Sequence, residues 1–113
     1  MKGLVSYMDF QALKTALLTV TNNVYHYEAL SAKAPYIVWA EDSETTNVSA
    51  DNKKVFQTIQ GTIDYYTYTG NDENVSKIQQ ALNDAEISFS LNTVEYEDET
   101  TLTHYEWIFE VIP

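Results

Sequence analysis

The residues able to do chemistry are few. The histidines are His26 and His104, and neither has a motif partner at ligand spacing. A metal centre needs several ligands at fixed separations. A histidine inside an alternating strand such as His104 reads as a surface residue. Two runs of carboxylates stand out, Glu41–Asp42–Glu44 and Glu95–Glu97–Asp98–Glu99. Neither follows the D-x-[DN]-x-[DN]-G pattern of a calcium loop, so both read as solvated acidic turns. No nucleophile elbow surrounds a serine. The run Tyr65, Tyr66, Tyr68 has the aromatic faces of a base-stacking platform. Core packing combined with a protein contact fits it better, given the charge.

The charge bounds the partner class. Six lysines and no arginine stand against seventeen acids, a net −11 over 113 residues. A phosphate-backbone binder needs a basic face, which six scattered lysines do not build. There is no cysteine, so disulfides and thiolate metal sites are excluded. No run of eighteen apolar residues exists, so no helix is expected to span a bilayer. The start, MKGLVSYMDF, lacks a signal peptide's apolar core, which makes synthesis in the cytoplasm the expectation. The length suits one domain, residues 1–113.

The elements must position these residues. The longest strand pattern is Lys54–Thr69, KVFQTIQGTIDYYTYT. Val55, Gln57, Ile59, Gly61, Ile63, Tyr65 and Thr67 share its inner side, by the period of two that extended chain imposes. Its length predicts a bend at Gly61 or an overhang beyond the sheet. Before it come a helix over Asp9–Thr21, with Asp9 as cap, and a strand over Tyr36–Glu41 opened by Pro35. Val24–Ala34 reads as a short strand or an ordered loop. Glu41–Lys53 reads as a polar loop, mobile in the free protein and ordered in an assembly. Ala50–Asp51–Asn52 reads as a tight turn. After the long strand, Gly70–Asn71 signals a turn. Asn71 or Asp72 caps a helix over Asp72–Ala85, whose stripe is Val75, Ile78, Ala81, Leu82 and Ala85. Ile87, Phe89 and Leu91 alternate as a third strand until Val94 breaks the pattern. Leu102–Ile112 is the last strand, with Tyr105, Trp107, Phe109 and Val111 on one face. Ile59, Ile63, Ile78, Leu82, Phe89, Trp107 and Phe109 are the expected core. The order helix–strand–strand–helix–strand–strand predicts an α+β fold: a mainly antiparallel four-stranded sheet with two helices on one face.

The ordered segments APYIVWAEDSE and SADNKKVFQTIQGTIDYYTYTGNDENVSKIQQALNDAEISF, with a paired-strand end, resemble a known family. It is the tail terminator or tail completion (minor tail protein) family of long-tailed bacteriophages and prophages. The resemblance rests on Pro35–Tyr36, Ala50–Asp51–Asn52, Tyr66–Thr67 and Asp72–Leu82, and covers roughly residues 9–112. It implies a structural virion protein of the tail or neck. Such proteins form a ring, a hexamer, that caps the tail tube protein and meets the head connector protein. It implies no catalytic residues, no metal and no cofactor, and no enzyme activity is expected. Tyr66 and Tyr68, with strand edges, are the candidate subunit-interface residues. The acidic turns would then lie on a free surface or line the channel. Two other readings stay open: a different head–tail neck or connector protein, and an acidic DNA mimic that inhibits a nuclease.

Overall fold

A computed structural model describes residues 10–44, 49–50, 53–54 and 57–112. The elements run α1 (Gln11–Leu18), β1 (Val24–His26), β2 (Tyr36–Glu44), β3 (Ser49–Ala50), β4 (Lys53–Lys54), β5 (Ile59–Thr67), α2 (Asn74–Asp84), β6 (Ser88–Glu97) and β7 (Leu102–Val111). The main sheet has five strands in the order β1-β2-β5-β7-β6, and β3 and β4 form a separate pair. Three junctions are antiparallel, but β1 runs parallel to β2.

The expected four-stranded, mainly antiparallel sheet is therefore corrected to a five-stranded mixed one within the same α+β class. The extra strand is Val24–His26. It is too short to show a period, and a parallel neighbour needs no hairpin signal. The Ile37 N–H donates to the Asn23 carbonyl and the Tyr27 N–H to the Trp39 carbonyl, each at 2.9 Å, which places it on the sheet edge.

β5 is the central strand, and its burial alternates without a break from Ile59 to Thr67. It is shorter than the Lys54–Thr69 expectation: Lys54 belongs to β4, and Val55 and Phe56 lie outside the described residues. Gly61 does not bend it. The irregularity sits opposite, in β2 between Glu41 and Ser43, while β5 keeps an unbroken register with β7. The expected polar loop is also shortened, because β2 continues to Glu44 and Ala50 pairs with Lys53. Residues 45–48 and the expected turn at Asp51–Asn52 lie outside the described residues, as does the expected cap Asp9.

One sheet face is packed. Ile37, Trp39, Ile59, Ile63, Tyr65, Trp107 and Phe109 meet Leu13 and Leu17 of α1 and Ile78 and Leu82 of α2 in a buried cluster. Of the expected core, Phe89 is only partly buried at the cluster's margin. Ile63 lies directly between Trp39 and Trp107 in the register. Burying such side chains is worth roughly 1.5–3 kcal/mol each and drives the two helices onto this face. The Trp107 indole keeps its polar handle satisfied by donating to Gln79 Oε1 at 3.0 Å.

The acidic stretch Glu95–Glu99 is not all turn. β6 runs to Glu97, and residues 98–101 make the connection. A bulge between Leu91 and Thr93 adds one residue to β6. It places Val94 and Tyr96 on the same side as Leu91, and turns Glu95 and Glu97 to the other.

Candidate functional site

The second face of the sheet carries no helix among the described residues. Its positions are Tyr36, Val38 and Ala40 of β2, ahead of the irregularity, and the even-numbered residues of β5 and β7, half-buried except for the exposed Glu110. Across the three neighbouring strands Tyr36, Tyr66 and His104 stand side by side. Tyr66 stacks on Tyr36 with centroids 4.8 Å apart and planes at 22°, and on His104 at 4.3 Å and 15°. Tyr25 of β1 meets Tyr36 edge-on at 6.3 Å. The register explains the column: Tyr36 pairs with Tyr66, and Tyr66 with His104. Cross-strand aromatic neighbours of this kind each stabilise the sheet by roughly 0.2–1 kcal/mol.

Carboxylates surround the column. His104 Nε2 lies 2.6 Å from Asp64 Oδ1, and both side chains are only 17% exposed. His104 is thus a partnered, partly buried residue and not the plain surface histidine that the strand pattern suggests. Burial pushes the Asp64 carboxyl up from its ordinary value, against the hydrogen bond from His104, and the charge of Glu106 adds to the rise. Asn92 Nδ2 donates to Glu106 Oε1 at 2.8 Å. The Tyr66 phenol is pushed up to about 12, first by burial and then by the charges of Asp64, Glu97 and Glu106 among its neighbours. Tyr36 is raised by burial and by Glu97.

Of the two candidate interface residues, the fold separates the roles. Tyr66 is held inside the column. Tyr68 lies just past the end of β5 and is 64% exposed. The period of two already sets Asp64 on the same side of β5 as Tyr66. Sequence reasoning missed Tyr36 and Glu106 as neighbours of Tyr66, because these two lie on other strands and the signal needed was strand order.

Two further polar clusters are structural in form. His26 stacks on Trp39 at 3.9 Å and on Tyr27 at 4.2 Å, with Nε2 2.7 Å from Glu41 Oε1. Burial would raise the Glu41 carboxyl, but the hydrogen bonds from His26, its own backbone and Tyr27, with the charge of His26, together outweigh it and the net shift is downward. At the entry to α2, Asp72 accepts from the Tyr65 and Thr67 hydroxyls at 2.6 Å each and from the Asn74 N–H at 2.8 Å. No group of three or more metal-ligating side chains is gathered among the described residues. No described helix is long and apolar enough to cross a membrane. What the open face offers chemically is an aromatic column rimmed by negative charge.

No protein-family model and no curated protein sequence matches the chain. Solved structures do match its fold. One chain from the virion of a native gene transfer agent particle aligns with a TM-score of 0.51 and 13% identity, over 90% of this chain and 83% of that one. A chain from a study of the molecular mechanism of H-NOX activation aligns with a TM-score of 0.40 and 12% identity, over 96% of this chain but 48% of its own length. At these identities the first likeness is one of fold: this chain is similar in architecture to a component of a gene transfer agent virion.

Proposed function

We propose that the chain is a structural virion protein that caps the phage tail tube as a ring and joins it to the head connector. The observation that carries this reading is the fold shared with a gene transfer agent virion chain over 90% of the present one. The tail-terminator resemblance of Pro35–Tyr36, Tyr66–Thr67 and Asp72–Leu82 points the same way. On this reading the chain is a building block and not an enzyme.

The strand edge supports self-assembly. β6 is an edge strand of ten residues with one side of its ladder unpaired by the main sheet. On its core side Leu91, Val94 and Tyr96 remain 47%, 51% and 61% exposed. An exposed apolar edge of this length invites pairing with another chain. Neighbouring copies at −11 each repel unless carboxylates turn away from the contact, and Glu95 and Glu97 do point to the opposite face from this apolar strip. Subunit contacts through β6 and Tyr68 therefore strengthen as salt rises from low to moderate, because salt screens the repulsion and leaves apolar contact intact. Analytical ultracentrifugation across a salt series tests this. The expected result is a ring-sized species that grows with salt and is lost in Tyr96→Glu. A monomer at every salt and protein concentration counts against the ring, and dissociation by added salt means ion pairs hold it.

A further inference from the structure

We infer that β6 pairs, antiparallel and end to end, with β6 of a second copy of the chain across a two-fold axis, so that the free chain is a dimer whose two sheets run on as one. The inference shares with the ring reading only the use of β6 as a contact between copies. A two-fold contact closes on itself. A ring with unlike faces for tube and connector has no place for it, so ring formation has to open the pair.

The bulge makes the strand self-complementary. Ahead of it the core side carries the odd-numbered Phe89 and Leu91, and behind it the even-numbered Val94 and Tyr96, all set by one unbroken run of β7. Antiparallel residues directly opposite one another share a side of the sheet. End-to-end pairing therefore sets Phe89 against Tyr96 of the second copy and Leu91 against Val94, apolar on apolar, twice over. On the other side it sets Ser90 against Glu95 and Ser88 against Glu97, so both carboxylates of the strand meet serines. The bulges themselves, Asn92 and Thr93, fall at the axis. Without the switch of side that the bulge introduces, the same pairing would set core-side residues against open-side ones.

Charge permits the contact. Ser90 and Glu95 stand opposite Ile108 and His104, four residues apart on β7. At roughly 3.4 Å per residue the two Glu95 side chains of a pair are about 14 Å apart, beyond the screening length of about 8 Å. β6 also has no lysine and no proline to block its edge.

The other edge of the sheet does not match β6. β1 has three residues against the ten of β6. Its backbone is partly used within the chain, since the Val24 N–H donates to the Asn22 carbonyl at 3.1 Å and the Glu28 N–H to the His26 carbonyl at 2.9 Å. Head-to-tail pairing of β6 with β1 would leave most of β6 open. The match of β6 with itself, side by side and charge by charge, selects a second copy as the occupant.

The chain has no cysteine, so two single-cysteine variants report the register. Ser90→Cys and Glu95→Cys, both at exposed positions, should join by a disulfide when mixed under mild oxidation. Directly paired Cα atoms lie about 4.5–5.5 Å apart, within disulfide reach. Each variant alone should cross-link little, because the two copies of its cysteine are too far apart. The parent should sediment as a monomer–dimer equilibrium. Tyr96→Glu should raise the dimer's dissociation constant at least about tenfold, with the parent's melting temperature at a dilution where both are monomers. Leu30→Glu, exposed in the loop beyond β1, should pair as the parent does. Equal cross-linking by either cysteine variant alone overturns the proposal, as does cross-linking of Ser90→Cys to Tyr25→Cys on β1. So does a parent that stays monomeric at every concentration. A ring that forms with no cross-link between the mixed variants refutes the pair and leaves the ring standing. Cross-linking mixtures whose parent never grows past a dimer refute the ring and leave the pair.

Discussion

The Tyr65 hydroxyl donates to Asp72 Oδ2 at 2.6 Å, tying the last buried turn of the central strand to the entry of α2. Thr67 donates to the same oxygen at 2.6 Å, and the Asn74 N–H to Oδ1 at 2.8 Å. Asn74 Nδ2 closes the cluster by donating to the Tyr65 oxygen at 3.0 Å. One carboxylate thus satisfies two hydroxyls that β5 buries and one N–H that the first turn of α2 leaves open.

Asp72→Ala should destabilise the fold by about 1–3 kcal/mol, because it strands the partly buried Tyr65 hydroxyl and the Thr67 hydroxyl. The pH dependence has a sign. Burial raises the Asp72 carboxyl, but its hydrogen bonds outweigh that and leave it below the ordinary 3.8. The folded value is below the unfolded one, so this contribution is present above pH about 4 and is lost as pH falls through the folded value. Asp64 acts oppositely. Its folded value is raised, so its contribution is complete below the unfolded value and fades as pH rises through the folded one. Urea melts between pH 2 and 6 check both. Asp72→Asn should flatten the acid limb, and Asp64→Asn should steepen it; the reverse pattern would sink the assignment.

Ile63→Ala should cost about 2–5 kcal/mol, the range for emptying a fully buried aliphatic site. Ile63 is fully buried and flanked in register by Trp39 and Trp107. The melting temperature should fall by several degrees, at roughly 4 °C per kcal/mol for a domain of this size. Tryptophan emission should shift as well, since both indoles border the cavity. A melt that moves by less than a degree would show that Ile63 does not pack as described.

The inner face of β5 was legible because a strand covered by helices on one side must alternate, and Ile59, Ile63, Tyr65 and Thr67 do. The stripe Ile78 and Leu82 of α2 was legible for the matching helical reason. β1 was not, because three residues carry no period and its parallel partner lies beyond the loop from 27 to 35. Val94 looked like a break in a strand because the extra residue of the bulge is only visible against β7. The Tyr36–Tyr66–His104 column was hidden for a different reason. It runs across strands, so it exists only once the order β2-β5-β7 is known.

Gly61→Ala should be among the most damaging small substitutions. A Cβ at this position would run into the Ala40 carbonyl, and would sit 2.7 Å from Phe109 Cζ and 2.8 Å from Glu41 Cα. Two of these neighbours are backbone of the adjoining strand and cannot rotate away. The β2 irregularity between Glu41 and Ser43 lies where that strand crosses Gly61. Overpacking of this kind costs about 1–3 kcal/mol and more when backbone must move. Gly70 offers the control, since a Cβ there meets nothing within 4 Å. Denaturant midpoints for the two alanine variants should differ clearly, and equal midpoints would mean the strands do not approach as closely as this.

Glu86→Gly should stabilise the protein. α2 ends with the Ile87 N–H donating to the Leu82 carbonyl at 2.9 Å and the Glu86 N–H to the Asn83 carbonyl at 3.0 Å. This pair of bonds closes a helix through one left-handed residue, and that residue is Glu86, at φ 59°. The left-handed region costs an L-residue roughly 1–2 kcal/mol, which glycine escapes. Glycine gives back part of this through its freer unfolded chain, so the net gain is about 0.5–1 kcal/mol. Removing a carboxylate from the negative end of the helix dipole adds a few tenths more. Ile87 should stay buried beside Leu82, because the closing bonds are untouched. The measurement is the urea midpoint of Glu86→Gly beside that of Glu86→Ala. Alanine removes the charge but keeps the backbone penalty, so it should gain only the electrostatic part. If both variants gain equally, the left-handed turn is not strained and charge alone sets the end of the helix.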